Sequence, residues 1–241
     1  MAYNFIGLVN EVNRRLIEVE LTTSNFSTAT GFYSQVKDSV NASIQEIDQE
    51  YPQWPYNYVE QEDTLTSGIT RYSFPIDTTI IDFDSFRIKE NDTLNNRTRK
   101  LKLLTYEEYL ESFIEQEYTS DTGLYSVPIF VAKAPGLEYV LSPAPDQAYT
   151  VVYEYYATSV NLIDATDTLK IPEIYRNVII DGAMYYAYMF RGNTQDAMVS
   201  KDKFKDGLKN MRIALINKNT YVRSTMLNRT QRSTYVYRLA S

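Results

Sequence analysis

The stretch IPEIYRNVIIDGAMYYAYMFRGNTQDA, from Ile171 to Ala197, contains the clearest pattern in the chain. Pro172 suits the first turn of a helix, where a missing N–H costs nothing, and Gly192 is typical of a helix end. Between them, apolar and small residues recur at helical spacing. They are Tyr175, Val178, Ile179, Gly182, Ala183, Tyr186 and Phe190. The small side chains of Gly182 and Ala183 form a notch, which predicts that another helix approaches closely here.

A second helix follows this one directly. Thr194 is predicted to cap it, because a hydroxyl can accept a hydrogen bond from an exposed N–H of the first turn. Its predicted buried stripe is Ala197, Lys201, Phe204, Leu208, Met211 and Leu215. From Asn217 onward no helical periodicity remains.

The N-terminal part of the chain also predicts two helices. Asn4 is the expected N-cap of the first, and its apolar face comprises Phe5, Leu8, Val9, Val12, Leu16 and Val19. A polar break from Leu21 to Thr30 precedes a second helix, predicted from Gly31 to Glu50 and stopped by Pro52. Its apolar face comprises Phe32, Val36, Val40, Ile44, Ile47 and Tyr51. The single tryptophan, Trp54, is predicted to close the core of a helical bundle.

The middle of the chain favours β-strands separated by turn residues. The predicted strands are Ile69 to Phe74, Thr78 to Glu90, Val127 to Ala132, Glu138 to Ser142 and Tyr149 to Thr158. One helix interrupts them after Thr105, where Thr105 and Glu108 have the spacing of a capping box.

These patterns predict an α+β protein. N- and C-terminal helices (1–59 and 170–216) are expected to form one helical bundle, because neither pair can bury its apolar faces alone. Residues 60–169 are predicted to form an inserted small β-rich region with one helix, and 217–241 an extended basic C-terminal tail.

The composition narrows the possible functions. The 241 residues include no histidine and no cysteine, so imidazole bases, thiolate nucleophiles and zinc–thiolate sites are excluded. No glycine-rich phosphate loop occurs. We therefore expect no enzyme activity, no cofactor and no metal. The polar residues of the N-terminus are unlike a signal peptide, and no run is apolar enough to span a membrane. A soluble protein made in a cytoplasm is expected.

Three acidic groups invite a functional interpretation. Glu60, Glu62 and Asp63 are clustered in what we take as a polar link, where a solvated charge run is the simpler interpretation. Asp82 and Asp84 alternate on a predicted strand and could form a carboxylate pair or bind Ca²⁺, yet strand surfaces carry such pairs routinely. Residues 164–167 lack the spacing of an EF-hand loop.

The chain contains 22 tyrosines and has a net charge of −7. Tyrosine can fill a core, line an interface or stack on single-stranded nucleic acid. We favour the interface, because Tyr221, Tyr235 and Tyr237 lie in a segment without a core of its own.

From Gly207 to Ser241 every charged residue is basic, whereas the remainder of the chain is strongly acidic. An acidic body disfavours general nucleic-acid binding. The basic tail is expected to order on a partner; folding back onto the acidic body is the alternative, and contact with DNA a weaker one.

The order of these segments resembles the head-to-tail adaptor family of short-tailed bacteriophages, the tail tubular protein A type. The resemblance rests on Trp54-Pro55, on LSPAPDQAYTVVYEYYA (Leu141 to Ala157) and on the stretch from Ile171 to Ala197. It implies a structural virion protein that forms a homo-oligomeric ring, typically of twelve copies, at the head–tail junction. Such a ring joins the portal protein to the next tail protein, a nozzle or tube, and continues the channel through which DNA passes without specific binding during ejection.

The resemblance also implies that the end of the chain reaches the portal. The expected portal-binding residues are Tyr221, Arg223, Arg229, Arg232, Tyr235, Tyr237 and Arg238. Two alternatives stay open: a tail-completion or neck protein of another phage lineage, and a carbohydrate-binding virion protein. The second would need two carboxylates about 5–10 Å apart in a cleft.

Overall fold

The structure, a computed structural model, describes residues 2–92, 95–118 and 121–215, with the backbone alone for 90–92 and 95–97. It confirms a mixed α+β protein. The chain divides into two compact units. One, the helical unit, combines the residues up to Ile47 with those from Asn161 onward; the other, the β-rich unit, runs from Asp48 to Val160.

The described helices are α1 (Phe5–Arg15), α2 (Thr23–Phe26), α3 (Phe32–Glu50), α4 (Tyr106–Ser112), α5 (Glu115–Tyr118), α6 (Arg176–Phe190) and α7 (Thr194–Leu215). The described strands are β1 (Tyr58–Thr64), β2 (Arg71–Ser73), β3 (Thr78–Asp92), β4 (Asn95–Lys100), β5 (Lys102–Leu104), β6 (Phe130–Ala134), β7 (Glu138–Ser142) and β8 (Thr150–Ala157).

Helix α1 begins where the sequence predicts and ends earlier. The Asn4 side chain accepts a hydrogen bond from the Gly7 amide at 3.0 Å, which confirms the cap. The helix stops at Arg15, and Ile17 adopts a positive φ of 59°. Val19 is therefore 73% exposed, and its predicted place on the buried face is wrong. The predicted polar break contains the short helix α2. Thr22 and Asn25 form a capping box at its N-terminus.

The small-residue notch of α6 is confirmed as a site of close approach. A Cβ atom added at Gly182 would lie 2.2 Å from Ser43 Oγ on α3 and 2.9 Å from the Phe204 ring on α7. Ser43 is buried and donates a hydrogen bond to the Ile179 carbonyl at 2.9 Å. Residues from three helices thus meet at a glycine that leaves no room for a side chain.

The turn between α6 and α7 corrects one prediction. Gly192 has a φ of +74°, the left-handed conformation that ends many helices at glycine. Thr194 is already the first residue of α7. The cap is Asn193, whose side-chain oxygen accepts from the Asp196 amide at 3.3 Å. Asparagine is at least as good a cap as threonine, so the helix begins one residue earlier than predicted.

Within the described residues, the β-rich unit contains two four-stranded sheets. Sheet A has the order β1-β8-β3-β4 and is antiparallel throughout. Sheet B has the order β2-β7-β6-β5, and only its β5–β6 pair is parallel. The predicted strand from Glu138 to Ser142 is confirmed as β7.

The core of this unit lies between the two sheets. Phe86, Ile88 and Tyr153 of sheet A belong to the same buried cluster as Val131 and Tyr139 of sheet B. The opposite face of sheet B packs against α4: Tyr109 is buried with Ala132, Ala134 and Val140. Sheet B is therefore covered on both faces, which explains why β7 is apolar without alternation.

Trp54 is fully buried, as expected of a closing aromatic residue. However, it belongs to the β-rich unit, where its ring contacts Tyr51 and stacks on Tyr56. Its predicted place in the core of the helical part is therefore wrong.

Candidate interaction surfaces

The predicted portal-binding residues lie outside the described part of the chain. They are Tyr221, Arg223, Arg229, Arg232, Tyr235, Tyr237 and Arg238. Their binding role stays a prediction, as does the extended form of residues 217–241.

Tyrosine in the β-rich unit fills the core, unlike the interface role expected from composition. Tyr109, Tyr139, Tyr149, Tyr153 and Tyr155 are all buried. Most of these hydroxyls donate hydrogen bonds to carboxylates. The Tyr139 hydroxyl donates to Asp63 at 2.9 Å, Tyr149 to Asp146 at 2.7 Å, Tyr155 to Asp77 at 3.2 Å and Tyr109 to Glu117 at 2.8 Å. These four rings thus contribute apolar area while their hydroxyls are satisfied at the edge of the core.

Tyrosines with raised pKa values in both units, among them Tyr139 and Tyr186, predict a loss of stability at alkaline pH. Burial, and then the nearby Asp63 carboxylate, raise the pKa of Tyr139 above its usual value of 10. Burial, followed by a hydrogen bond to Glu46, raises the pKa of Tyr186 to about 12. Above the unfolded pKa the unfolded chain loses phenolic protons that the folded chain retains, so the free energy of unfolding falls as pH rises. We expect urea midpoints to be level from about pH 7 to 9 and to fall steadily above about pH 10.

A control separates these phenols from general alkaline damage. Tyr186→Phe removes one raised pKa and should make the fall above pH 10 shallower. An alkaline profile identical to that of the unmodified protein would contradict this assignment.

The outer face of sheet A, the face turned away from sheet B, carries the predicted Asp82–Asp84 pair. A register shift between Asp82 and Arg87 interrupts the strand there. The Tyr58 hydroxyl lies 3.0 Å from Asp82 Oδ2 and also contacts Glu154. Asp84, which is 90% exposed, instead pairs with Lys100 at 3.1 Å. The two carboxylates therefore have separate side-chain partners, while the Asp84 amide donates to Asp82 Oδ1 at 3.0 Å.

The group of Glu60, Glu62 and Asp63 lies in strand β1, and its predicted place in a polar link is wrong. Glu60 and Glu62 are exposed on the outer face, whereas Asp63 turns towards Tyr139. The third acidic group, residues 164–167, lies in a local turn. One Asp167 carboxylate oxygen there accepts hydrogen bonds from the amides of Ile163 and Asp164.

The helical unit exposes an apolar patch that the sequence did not predict. We call it the Ile17 patch: Ile17 is 96% exposed, Val19 73% and Phe190 57%. Arg191 joins its parts, because its guanidinium contacts Glu18 and lies 4.1 Å from the centre of the Phe32 ring. Phe32 and Phe190 are 6.2 Å apart between ring centres. Exposed apolar clusters of this kind are typical of protein-contact surfaces.

The described residues also bear on metal binding and membrane insertion. No group of three or more acidic side chains there is arranged to hold a metal ion. In the same residues, no helix combines the length and apolar character needed to cross a membrane.

Comparison with known proteins identifies the chain at the level of family. Residues 3–232 match the family described as SU10 adaptor protein, and no curated protein matches the chain. The matched range includes both units and most of the predicted tail. Adaptor proteins of this type are structural components of phage virions. The chain therefore belongs to the SU10 adaptor protein family, a family of phage adaptor proteins.

Proposed function

We propose that the protein is a head-to-tail adaptor, a ring subunit that joins the portal to the next tail protein and continues the DNA channel. The observation that carries the proposal is the match of residues 3–232 to a phage adaptor family. The resemblance to the tail tubular protein A type adds the ring, with twelve copies, and the position at the head–tail junction.

The helical unit is proposed to act as a bundle that makes ring contacts. Its helices α3, α6 and α7 meet tightly at Gly182, so the unit can present a rigid surface. The Ile17 patch offers exposed apolar area on that unit. Burying such area against a neighbouring copy contributes about 25 cal/mol per Å² before the costs of association.

The acidic character of the chain suits a channel for DNA. With a net charge of −7, and with basic residues concentrated near the C-terminus, most of the protein repels phosphate. DNA could then slide through the ring without adhering to its wall. This supports passage of DNA and argues against a specific nucleic-acid site.

Residues 217–241 are proposed to dock on the portal. TYVYR, from Thr234 to Arg238, alternates and has high β-propensity, so it could add a strand to an exposed sheet edge of the portal. Arg223, Arg229 and Arg232 could form bidentate contacts with carboxylates there.

Native mass measurement of the protein, alone and mixed with portal rings, tests the proposal. We expect a complex that contains one portal ring and a fixed multiple of this chain, whatever its state alone. A chain that stays monomeric beside portal rings, and is absent from the head–tail junction of particles, would contradict it.

A further inference from the structure

Sheet A ends in two strands that each have one strand neighbour. Among the described residues, β1 pairs only with β8, and β4 pairs only with β3. Strands at such edges present backbone N–H and C=O groups that can pair with another chain.

The two edges carry opposite charge. Every charged residue of β1 is acidic, and every charged residue of β4 is basic. Glu60, Glu62, Arg99 and Lys100 are exposed. Within the described residues, neither Glu60 nor Arg99 makes an ion pair or a side-chain hydrogen bond.

The intramolecular pairs on these edges are weak competitors for a partner. Glu62 contacts Lys89, and Lys100 contacts Asp84, but the side chains in both pairs are 40% exposed or more. Exposed pairs of this kind contribute at most about 1 kcal/mol. They can exchange for intermolecular pairs at little cost.

The strand directions favour one way of joining two copies. Each neighbouring pair in sheet A is antiparallel, so β1 and β4 run in opposite directions. A second copy related by rotation about an axis along the strands keeps those directions. Its β1 then meets β4 of the first copy in antiparallel orientation, and the alternation of the sheet continues without a break.

The charged residues Glu60 and Lys100 of the two edges also lie on the same face of sheet A. Glu60 is opposite Glu154 and Glu62 is opposite Val152, on the outer face of sheet A. Lys100 is opposite Arg87, on that same face. A register that sets Glu60 opposite Lys100 also sets Glu62 opposite Thr98, and residues 60–64 then lie along 96–100. Glu60 and Lys100, one acidic and one basic, would then meet on the outer face, where cross-strand pairs stabilise a sheet. Arg99 is opposite Ile88, on the other face, and would lie opposite Gln61 in this register.

We propose that β1 of one copy pairs with β4 of the next, so that sheet A continues from subunit to subunit. The partner strand at each edge belongs to a second copy of this chain. The contact joins two different surfaces, β1 of one copy and β4 of the next, and such a contact closes into a ring when the rotation between the copies is suitable. The inference rests on the proposed function, since it takes the ring as the assembly, and it adds the contact by which the β-rich unit recognises its neighbour.

Charge reversal of each edge provides the first test. Glu60→Lys, or Lys100→Glu, places like charges opposite one another and should weaken self-association about tenfold or more. A chain with both substitutions restores opposite charges and should recover most of that loss. Circular dichroism melts check that each variant folds.

The reversal test has a clear opposing outcome. Charged edge strands also occur where a protein merely avoids edge-to-edge aggregation. In that case the separate reversals would leave self-association unchanged, or the combined variant would be the weakest, and the proposed pairing would be wrong.

Disulfide cross-linking tests the contact directly, because the chain has no cysteine of its own. Glu62→Cys and Thr98→Cys in one chain cannot link internally: three strand spacings of about 4.8 Å separate β1 from β4, whereas a disulfide needs Cα atoms within about 7 Å. Oxidation of the full chain, in concentrated solution and on portal-bearing heads, should give a ladder of dimers, trimers and larger species.

Each single-cysteine variant is the matched control and should form no disulfide-linked species on oxidation. Dimers from either single variant would show like edges paired by two-fold symmetry, which overturns the proposal, as would the absence of a ladder under both conditions. Attachment of the unmodified chain to heads is scored separately. Its failure would contradict the proposed function, while the ladder in solution still decides the pairing.

Discussion

Removal of residues 217–241 is expected to abolish attachment to portal-bearing heads while leaving the melting temperature nearly unchanged. The removed segment is polar and basic, with tyrosines scattered through it, so it contributes little to a core. Phe204, Leu208 and Met211 of the preceding helix α7 are buried. Co-sedimentation with heads and a calorimetric melt measure the two quantities.

A matched variant tests the chemistry of the docking. Changing Arg223, Arg229, Arg232 and Arg238 to lysine keeps the charge and removes the planar fork that binds a carboxylate through two hydrogen bonds. Attachment should weaken strongly. If the truncated protein unfolds, the segment belongs to its own fold. If it attaches at normal affinity, the docking surface lies elsewhere.

Gly182→Ala is expected to lower the free energy of unfolding by about 2 kcal/mol or more. The new methyl group would lie 2.2 Å from Ser43 Oγ and 2.9 Å from the Phe204 ring. Ser43 cannot yield without disturbing its buried hydrogen bond to Ile179. A melting temperature lower by about 4–8 °C follows for a protein of this size.

Ser43→Ala supplies the control for that clash. Removing Oγ takes away the nearest atom, so the double variant should lose less stability than the two single variants together. A Gly182→Ala protein that melts like the unmodified one would show that α3, α6 and α7 do not meet as tightly as described.

The sequence predicts the elements whose signals are local. The Asn4 cap, the box formed by Thr105 and Glu108, and the Gly182 notch each require particular residue types at a fixed spacing, and all three occur. Strand β7 is found because a short apolar run between turns is typical of a strand covered on both faces.

The sequence does not predict the edge strands β1 and β4, because neither contains an apolar run or an apolar alternation. Strand β1, YVEQEDT, has no alternating apolar residues, and its inward carboxylate, Asp63, is satisfied by a tyrosine distant in sequence. Strand β4, NNRTRK, is polar throughout. Pairing with β8 and β3 defines these strands, and a single sequence does not reveal those partners.

The Ile17 patch was missed for a different reason. The spacing from Phe5 to Val19 fits one helical face, but the positive φ of Ile17 ends the pattern after α1. A β-branched residue seldom adopts that conformation, so no residue type at this position signals the break. The helical spacing therefore assigns the exposed Val19 to the buried face.

Cryo-electron microscopy of the assembled particle is the most direct test of the proposed function. We expect this chain as a closed ring at the head–tail junction, one face on the portal and the other on the next tail protein, with DNA passing through its centre. An isolated monomer, a fibre, or a position away from the junction would contradict the proposed role.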